Sequence, residues 1–279
     1  MITLASDFGS PYPAAMKGVL LQRTDARLLD VTHALPRQDP NAAAFWLRAV
    51  LPYVPPSVHL VVVDPGVGTE RRALVVRAGD HALVGADNGA LLPPARVLAR
   101  ADPTPVPPVG TSVEGGANGG ESIECFAVNP DRLAVAASAT FHGRDVFAPI
   151  AAEVHDRGVD ALEEHPDLER FEDPTELRFP LAVYPEQDVA LATVLVVDDF
   201  GNAITNVPGR WLERSDSGTV LVEGRSVPAV ESYAGVEPGE ALVTVGSHGQ
   251  VELAVNRGRG SAAFDVEPGT TVELGRNHR

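Results

Sequence analysis

The chain predicts an α/β N-terminal domain, with a mostly parallel sheet flanked by helices, followed by a smaller antiparallel β-barrel domain. Three observations carry this expectation. Apolar β-forming runs alternate with helical spacings through the first part of the chain, the pattern of strands joined by crossover helices. From Val189 onward, short β-rich runs follow one another across Gly, Asn and Ser turns, as in a small barrel or sandwich. Within the first part, VVVDPGVGTERR (Val61–Arg72) ends an apolar strand in an aspartate, a Pro-Gly turn and two arginines. In an α/β sheet, ligands sit just beyond the carboxyl ends of the strands, so Asp64 and Arg71 can converge on one pocket. The division is expected at residues 1–180 and 181–279.

Ile2–Ala5 reads as the first strand, Ser6–Ser10 as its loop, and Ala15, Val19 and Leu20 give the helical spacing that follows. Arg27–Val31 is a second strand. Asp39-Pro40 supplies an N-cap and a first-turn proline, which predicts a helix over Asn41–Val50, ended by the proline-rich Pro52–Pro56. Val58–Val63 is the central strand. Ala73–Arg77 and Ala82–Val84 read as shorter strands before the turn Asp87-Asn88-Gly89. Pro103–Gly120, rich in proline and glycine, is expected to be an exposed loop. In TFHGRDVFAPI (Thr140–Ile150) a helix should begin near Arg144-Asp145, where the acid suits the helix dipole. The acidic stretch Asp156–Glu176 reads as a solvated connector. Ala190–Val197, Ala203–Val207, Thr219–Val222, Ala241–Val245, Val251–Val255 and Thr271–Leu274 are the strands of the second domain.

Composition narrows the function. The formal net charge of −16 lacks the basic footprint that nucleic acid needs. Self-repulsion on this scale suggests a salt-rich cytoplasm, and unfolding midpoints should then rise between low and molar salt. No stretch matches a membrane span, and MITLASDFGS enters a strand without a basic leader, so the expected location is cytoplasmic. Cys125 is the only cysteine, which excludes an intramolecular disulfide and a thiolate-rich zinc site. The eight histidines show no HxxxH or HExxH spacing, and no metal site is assigned.

Four segments stand out: SDFGS (Ser6–Ser10), VVDPGVGTERR (Val62–Arg72), TFHGRDVFAP (Thr140–Pro149) and VDDFGNAITN (Val197–Asn206), with YAGVEPGE and GSHG later. In this order they resemble the S-adenosylmethionine hydroxide adenosyltransferases, the hydrolase branch of the fluorinase and chlorinase superfamily. The resemblance covers nearly the whole chain. It implies cleavage of S-adenosylmethionine at ribose C5′ to adenosine and L-methionine, with no cofactor, in a homotrimer whose sites lie between one subunit's N-terminal domain and a neighbour's C-terminal domain. It also implies a catalytic triad of Asp64, Arg71 and His142. The fluorinase pattern has tyrosine where Asp64 stands and Phe-Tyr-Ser where this chain has Phe141-His142-Gly143. A carboxylate repels a halide in low dielectric but can orient and deprotonate water, while Arg71 favours the developing hydroxide. The sulfonium leaves as a neutral thioether, which needs neither a proton nor a metal.

The resemblance further implies that Asp7 holds the ribose hydroxyls, that Asp198 pairs with the methionine ammonium, that Phe200 stacks on adenine and that Asn202 hydrogen-bonds its edge. Phe141, beside the triad histidine in the same motif, is expected among the substrate-binding residues. Ser247 matches a contact to the amino-acid group, although His248 stands where the fluorinase pattern has arginine. Tyr233 aligns with an aromatic of the adenine pocket and equally suits a barrel core. Trp46 suits a helix core as well as a ligand wall. His33 and Asn88 fall in family-like segments without an assignable role. Two other functions stay open: a SAM- or adenosine-binding sensor without turnover, and a SAM-dependent halogenase. Asp7, Asp198, Phe200 and Asn202 would serve a sensor as well as an enzyme. Only the triad discriminates, because a buried charged set costs desolvation that a pure binder has no use for.

Overall fold

The computed structural model describes residues 1–69, 71–100, 106–109, 123–134, 138, 140–214 and 218–276, and the side chains of 133, 134 and 214 are excepted. The chain divides into two compact units, one of Met1–Pro105 with Glu114–Leu177 and one of Val106–Val113 with Arg178–Arg279.

The first unit is built on a seven-stranded sheet. Its strands are β1 (Ile2–Ser6), β2 (Leu28–Thr32), β3 (Val58–Val62), β4 (Ala73–Ala78), β5 (His81–Ala86), β6 (Glu124–Val128) and β7 (Leu168–Arg170), in the order β2-β1-β3-β5-β4-β6-β7. The sheet is mixed. β2, β1, β3 and β5 run parallel, and β4, β6 and β7 continue it antiparallel. The helices are α1 (Tyr12–Leu21), α2 (Pro40–Val50), α3 (Leu92–Leu98), α4 (Pro130–Ala134) and α5 (Ala148–Arg157). Alternate strand residues feed two cores. Leu4, Leu60 and Val62 pack with Met16 and Leu20 of α1 and Ile150 and Val154 of α5. Ala5, Val61 and Val63 pack with Ala43 and Leu47 of α2 and with Ala95 and Leu98 of α3. Because β2 and β3 lie on opposite sides of β1, and α1 and α2 on opposite faces, the chain reverses its winding between β1 and β3. Such a point opens a crevice at the carboxyl ends of the two strands.

Asp39 caps α2 as expected, accepting from the Ala42 N–H at 3.0 Å. Trp46 on that helix is half-buried against the α2 core, edge-on to Phe45. Two expectations need correction. The acidic stretch Asp156–Glu176 is more than a connector: it supplies β7, buries Leu162, and is tied to the sheet by Arg77, whose guanidinium joins Glu124 to Glu163. Of Pro103–Gly120, only 106–109 lies within the described residues, and there Val106 and Val109 are buried rather than exposed. The remainder of that expected loop lies outside them.

The second unit is an antiparallel sheet of eight strands that nearly closes. β8 (Val183–Glu186) pairs with β9 (Val189–Val197). The main path joins β9, β10 (Ala203–Pro208), β11 (Thr219–Val222), β12 (Arg225–Pro228), β13 (Ala241–Val245), β14 (Gln250–Val255) and β15 (Thr271–Arg276) in the order β12-β11-β15-β9-β10-β14-β13. A single bridge from Ala229 to Val243 brings the two ends of the path together. Val194, Val207, Val220, Val243, Leu253 and Leu274 fill the interior.

A buried polar chain crosses the first sheet. Thr3 Oγ1 meets His59 Nδ1 at 2.8 Å, and His59 Nε2 meets His81 Nδ1 at 2.9 Å. Burial pushes His59 down to about 3 and lowers His81 as well. Between about pH 3 and the ordinary histidine value of 6.5 the unfolded chain therefore binds a proton at His59 that the folded chain does not, so stability rises with pH across that window. Urea titrations should show a loss of about 1.4 kcal/mol per pH unit for a histidine held neutral, as pH falls below about 6.5. In His59→Gln the slope should be shallower, and an unchanged slope would remove His59 as its source.

Candidate active site

The crevice between β1 and β3 receives Asp7, one residue past β1, and Asp64, two past β3. The strands are in register, with Ser6 opposite Val62. Asp64 is largely buried, and its Oδ1 accepts from the Gly66 N–H at 3.1 Å and from Arg71 Nη1 at 2.9 Å. Its Oδ2 has no partner among the described residues. The guanidinium lies against the bare backbone of Gly66: a Cβ there would stand 2.5 Å from the Arg71 guanidinium carbon and displace it. Asn88 braces the strand end by donating to the Val63 carbonyl at 2.7 Å, and its Oδ1 accepts from the Ala90 N–H.

His142 is buried where the chain enters α5. The helix begins earlier than expected, with a π-turn over Gly143–Phe147, and Asp145 pairs with the neighbouring Arg144 at 2.6 Å. That hydrogen bond, first among several causes, holds the Asp145 carboxyl below its ordinary range. Gly143 seats the turn on the sheet, since a Cβ would lie 2.7 Å from Val62 Cγ1 and 3.1 Å from Met16 Sδ. His142 is thus fixed near the end of β3. No hydrogen bond or ion pair joins it to Asp64 or Arg71 among the described residues.

Asp7 is buried, and its Oδ2 accepts from the Gln38 N–H at 2.7 Å. The same loops are joined by Ser6 Oγ, which meets His33 Nδ1 at 2.8 Å, while His33 Nε2 meets Asp30 Oδ1 at 3.1 Å. His33 thereby acquires a role the sequence did not show, tying the loop that carries Asp7 to the end of β2. Phe141 forms an edge-to-face trio with Phe8 and Tyr12 at 5.5 and 5.7 Å, and Arg144 lies over its ring at 5.0 Å. Sequence reasoning missed Phe8 and Tyr12, although both lie in or beside the SDFGS motif.

The second unit carries its own polar chain. Asp198 accepts from the Asn202 backbone N–H at 2.8 Å and from Asn202 Nδ2 at 2.9 Å. Nδ2 also donates to the Tyr233 hydroxyl at 3.3 Å, and that hydroxyl donates to Glu252 Oε2 at 2.7 Å. Burial first, and then Glu252, push the Tyr233 phenol upward, so its proton is retained. Glu252 Oε1 meets His248 Nε2 at 2.8 Å, and His248 Nδ1 accepts from the Gln250 N–H at 3.2 Å. The ring proton therefore sits on Nε2 and points at Glu252. Glu252 is buried and was missed from the sequence. Phe200 is 81% exposed, and Ser247 is exposed as well.

Glu153, His165 and Asp167 also gather their ligand atoms within 4.8 Å. Arg132 already bridges Glu153 and Asp167, and His165 Nδ1 accepts from the Asp167 N–H, which leaves the proton on Nε2. This donor set is an ion-pair network rather than a cation site. It lies about 16 Å along the helix from His142, at the helical rise per residue.

A carboxylate–guanidinium pair at the switch point of an α/β unit, with a β-barrel unit carrying a wired polar chain beside an open aromatic ring, defines a two-domain enzyme class. Comparisons with known proteins specify it. The family model of the SAM hydroxide adenosyltransferase N-terminal domain matches residues 2–164, and that of the C-terminal domain matches 192–273. The chain is 40% identical to an (R)-S-adenosyl-L-methionine hydrolase of Salinispora tropica, over 98% of this chain and 97% of the relative. It is also 40% identical to one of Thermus thermophilus, over 96% and 97%. A solved structure of an uncharacterized conserved protein from Thermotoga maritima superposes with a TM-score of 0.76 at 29% identity, covering 99% of this chain and all of that one. The chain belongs to the SAM hydroxide adenosyltransferase family.

Proposed function

We propose that the protein hydrolyses S-adenosyl-L-methionine at ribose C5′, releasing adenosine and L-methionine. The observation that carries this reading is the Asp64–Arg71 pair at the β3 end, one strand from Asp7. Asp64 Oδ1 is occupied by Gly66 and Arg71. Oδ2 then accepts from the attacking water, with His142 at the same end of the sheet to share its proton. The new O–C5′ bond forms as C5′–S breaks. The electron pair of that bond neutralises the sulfonium, so methionine leaves without a proton, and the rate depends on in-line positioning and exclusion of bulk water. Arg71 stabilises the hydroxide character that develops on the nucleophile.

The remaining roles follow the family resemblance. Asp7 takes the ribose diol with the acceptor capacity that Gln38 leaves, and Phe141 with Phe8 and Tyr12 supplies an apolar wall. Asp198 pairs with the methionine ammonium, Ser247 meets the amino-acid group, and Phe200, Tyr233 and Asn202 receive adenine. The α/β half, 1–180, and the barrel half, 181–279, act as separate domains of a homotrimer, each site built from two neighbouring subunits. The exposure of Phe200 supports that reading, since a stacking ring must face a ligand or a partner. No helix among the described residues is long and apolar enough to cross a membrane.

Incubation with S-adenosylmethionine should give adenosine and methionine in equal amounts by chromatography, and added fluoride should give no 5′-fluoro nucleoside. Tight binding without product would overturn the reading. Light scattering should return three times the 29.4 kDa chain mass, and a single-chain mass would remove the trimer.

A further inference from the structure

We propose that the barrel unit carries a second binding site, separate from the substrate site, for a small aromatic acid. The cavity lies among β8, the turn from β8 into β9, the helical turn Gly209–Arg214 that follows β10, and the last residue of β15. It measures about 320 Å³ and is lined by Tyr184, Gln187, Arg210, Trp211 and Arg276. None of the residues placed in the substrate site is among them. Two aromatic rings, two guanidiniums and an amide form the wall, and no carboxylate lines it among the described residues, in a chain of formal net charge −16. A cationic cleft with apolar walls concentrates anions by focusing the local field.

The two arginines differ in what they already hold. Arg276 is anchored: its Nη2 donates to the Gln187 carbonyl and pairs with Asp188 Oδ1 at 3.1 Å, and its guanidinium lies over the Trp211 ring at 5.2 Å. That stack makes a flat wall. Arg210 is exposed and has no ion pair among the described residues, so its planar fork is open to an incoming acid. Burial raises the Tyr184 phenol, while Arg210 and Arg276 pull it the other way. Both guanidiniums therefore bear on the space beside that ring. Two buried donors in the same wall, Trp211 Nε1 and Arg276 Nε, find no acceptor among the described residues. Enclosed donors without partners are rare and costly, and these add to the positive character of the wall. Volume sets the size of the ligand. A cavity of about 150 Å³ holds benzene, so this one has room for a ring and a short arm ending in a carboxylate. The ring packs against Tyr184 and Trp211 while the carboxylate meets Arg210. Free phosphate offers the charge but has no body for the aromatic walls.

The test titrates phenylacetate, its neutral isostere phenylacetamide, and inorganic phosphate into the full-length protein, followed by ligand-observed NMR. Phenylacetate should saturate with a Kd on the order of 1 mM, as suits about ten non-hydrogen atoms of modest efficiency. Phenylacetamide should bind about tenfold more weakly for want of the charge, and phosphate should not saturate over the same range. In Arg210→Gln the acid should lose about tenfold and match the amide, whose own affinity stays in place. Tyr184→Ala should weaken acid and amide alike. Saturating adenosine should leave every value unchanged. Equal affinities for acid and amide, wild-type acid binding in Arg210→Gln, phosphate binding as tightly as phenylacetate, or displacement by adenosine each overturns the proposal, as does failure of phenylacetate to saturate. If Arg210→Gln alters the circular dichroism spectrum, Tyr184→Ala carries the comparison, and undiminished binding there overturns the site. These outcomes stand whether or not S-adenosylmethionine is turned over.

Discussion

Asp64→Asn releases adenosine about a thousandfold more slowly than the wild type, a barrier increase of about 4 kcal/mol. The substitution is nearly isosteric. The amide oxygen can still accept from Gly66 and Arg71, so the turn keeps its shape. Where Oδ2 stood, however, an N–H₂ now donates. The attacking water is presented with a donor instead of an acceptor, and the Arg71 charge loses its counter-ion beside a cationic substrate. Single-turnover rates, with calorimetry showing substrate affinity within about tenfold of wild type, separate this from a folding defect. Turnover at the wild-type rate would show that Asp64 is not the water-orienting group.

The second large effect is expected at a residue with no functional group. Gly143→Ala places a methyl 2.7 Å from Val62 Cγ1, so either the π-turn lifts from the sheet or the valine leaves its rotamer. Overpacking of this kind costs about 1–3 kcal/mol. The displaced neighbour is His142, and a misplacement of about 1 Å is enough for a hundredfold loss in kcat. Gly18→Ala is the control. It lies inside α1 with nothing within 4 Å of the added methyl, and should be neutral or stabilising by up to about 1 kcal/mol. Thermal melts and kcat on the two proteins distinguish steric displacement from a general penalty on glycine replacement. Wild-type kcat in Gly143→Ala would detach His142 from the turn's seating.

The strands that position the site were legible because their residues alternate between two apolar cores or fill a barrel interior. Those that escaped lack that signal. β8 is exposed throughout, and β12 offers a single buried apolar residue, Val227, so backbone pairing largely defines them. β7 is three residues long, with two of them exposed. β6 (ECFAV) shows neither a clean alternation nor a continuous buried run, its burial being broken at Glu124 and Ala127. α3 gave no helical signal because two adjacent prolines occupy it, yet they sit in the first turn, where no intrahelical N–H is required. Within the site, Asp64 and Arg71 could be paired from a turn motif. Glu252 could not: a single acid in QVELAV reads as the wet side of a strand, whereas β14 is buried on both faces. Only the three-dimensional placement of Tyr233 and His248 gives that carboxylate partners.

The guanidinium resting on the bare backbone of Gly66 has an evolutionary consequence. Any L-residue at position 66 must push Arg71 aside, and losing Arg71 in turn leaves Asp64 with only the backbone N–H on its Oδ1. Changes at 66 and 71 should therefore show epistasis: once a side chain at 66 has displaced the guanidinium, replacing Arg71 has little left to remove.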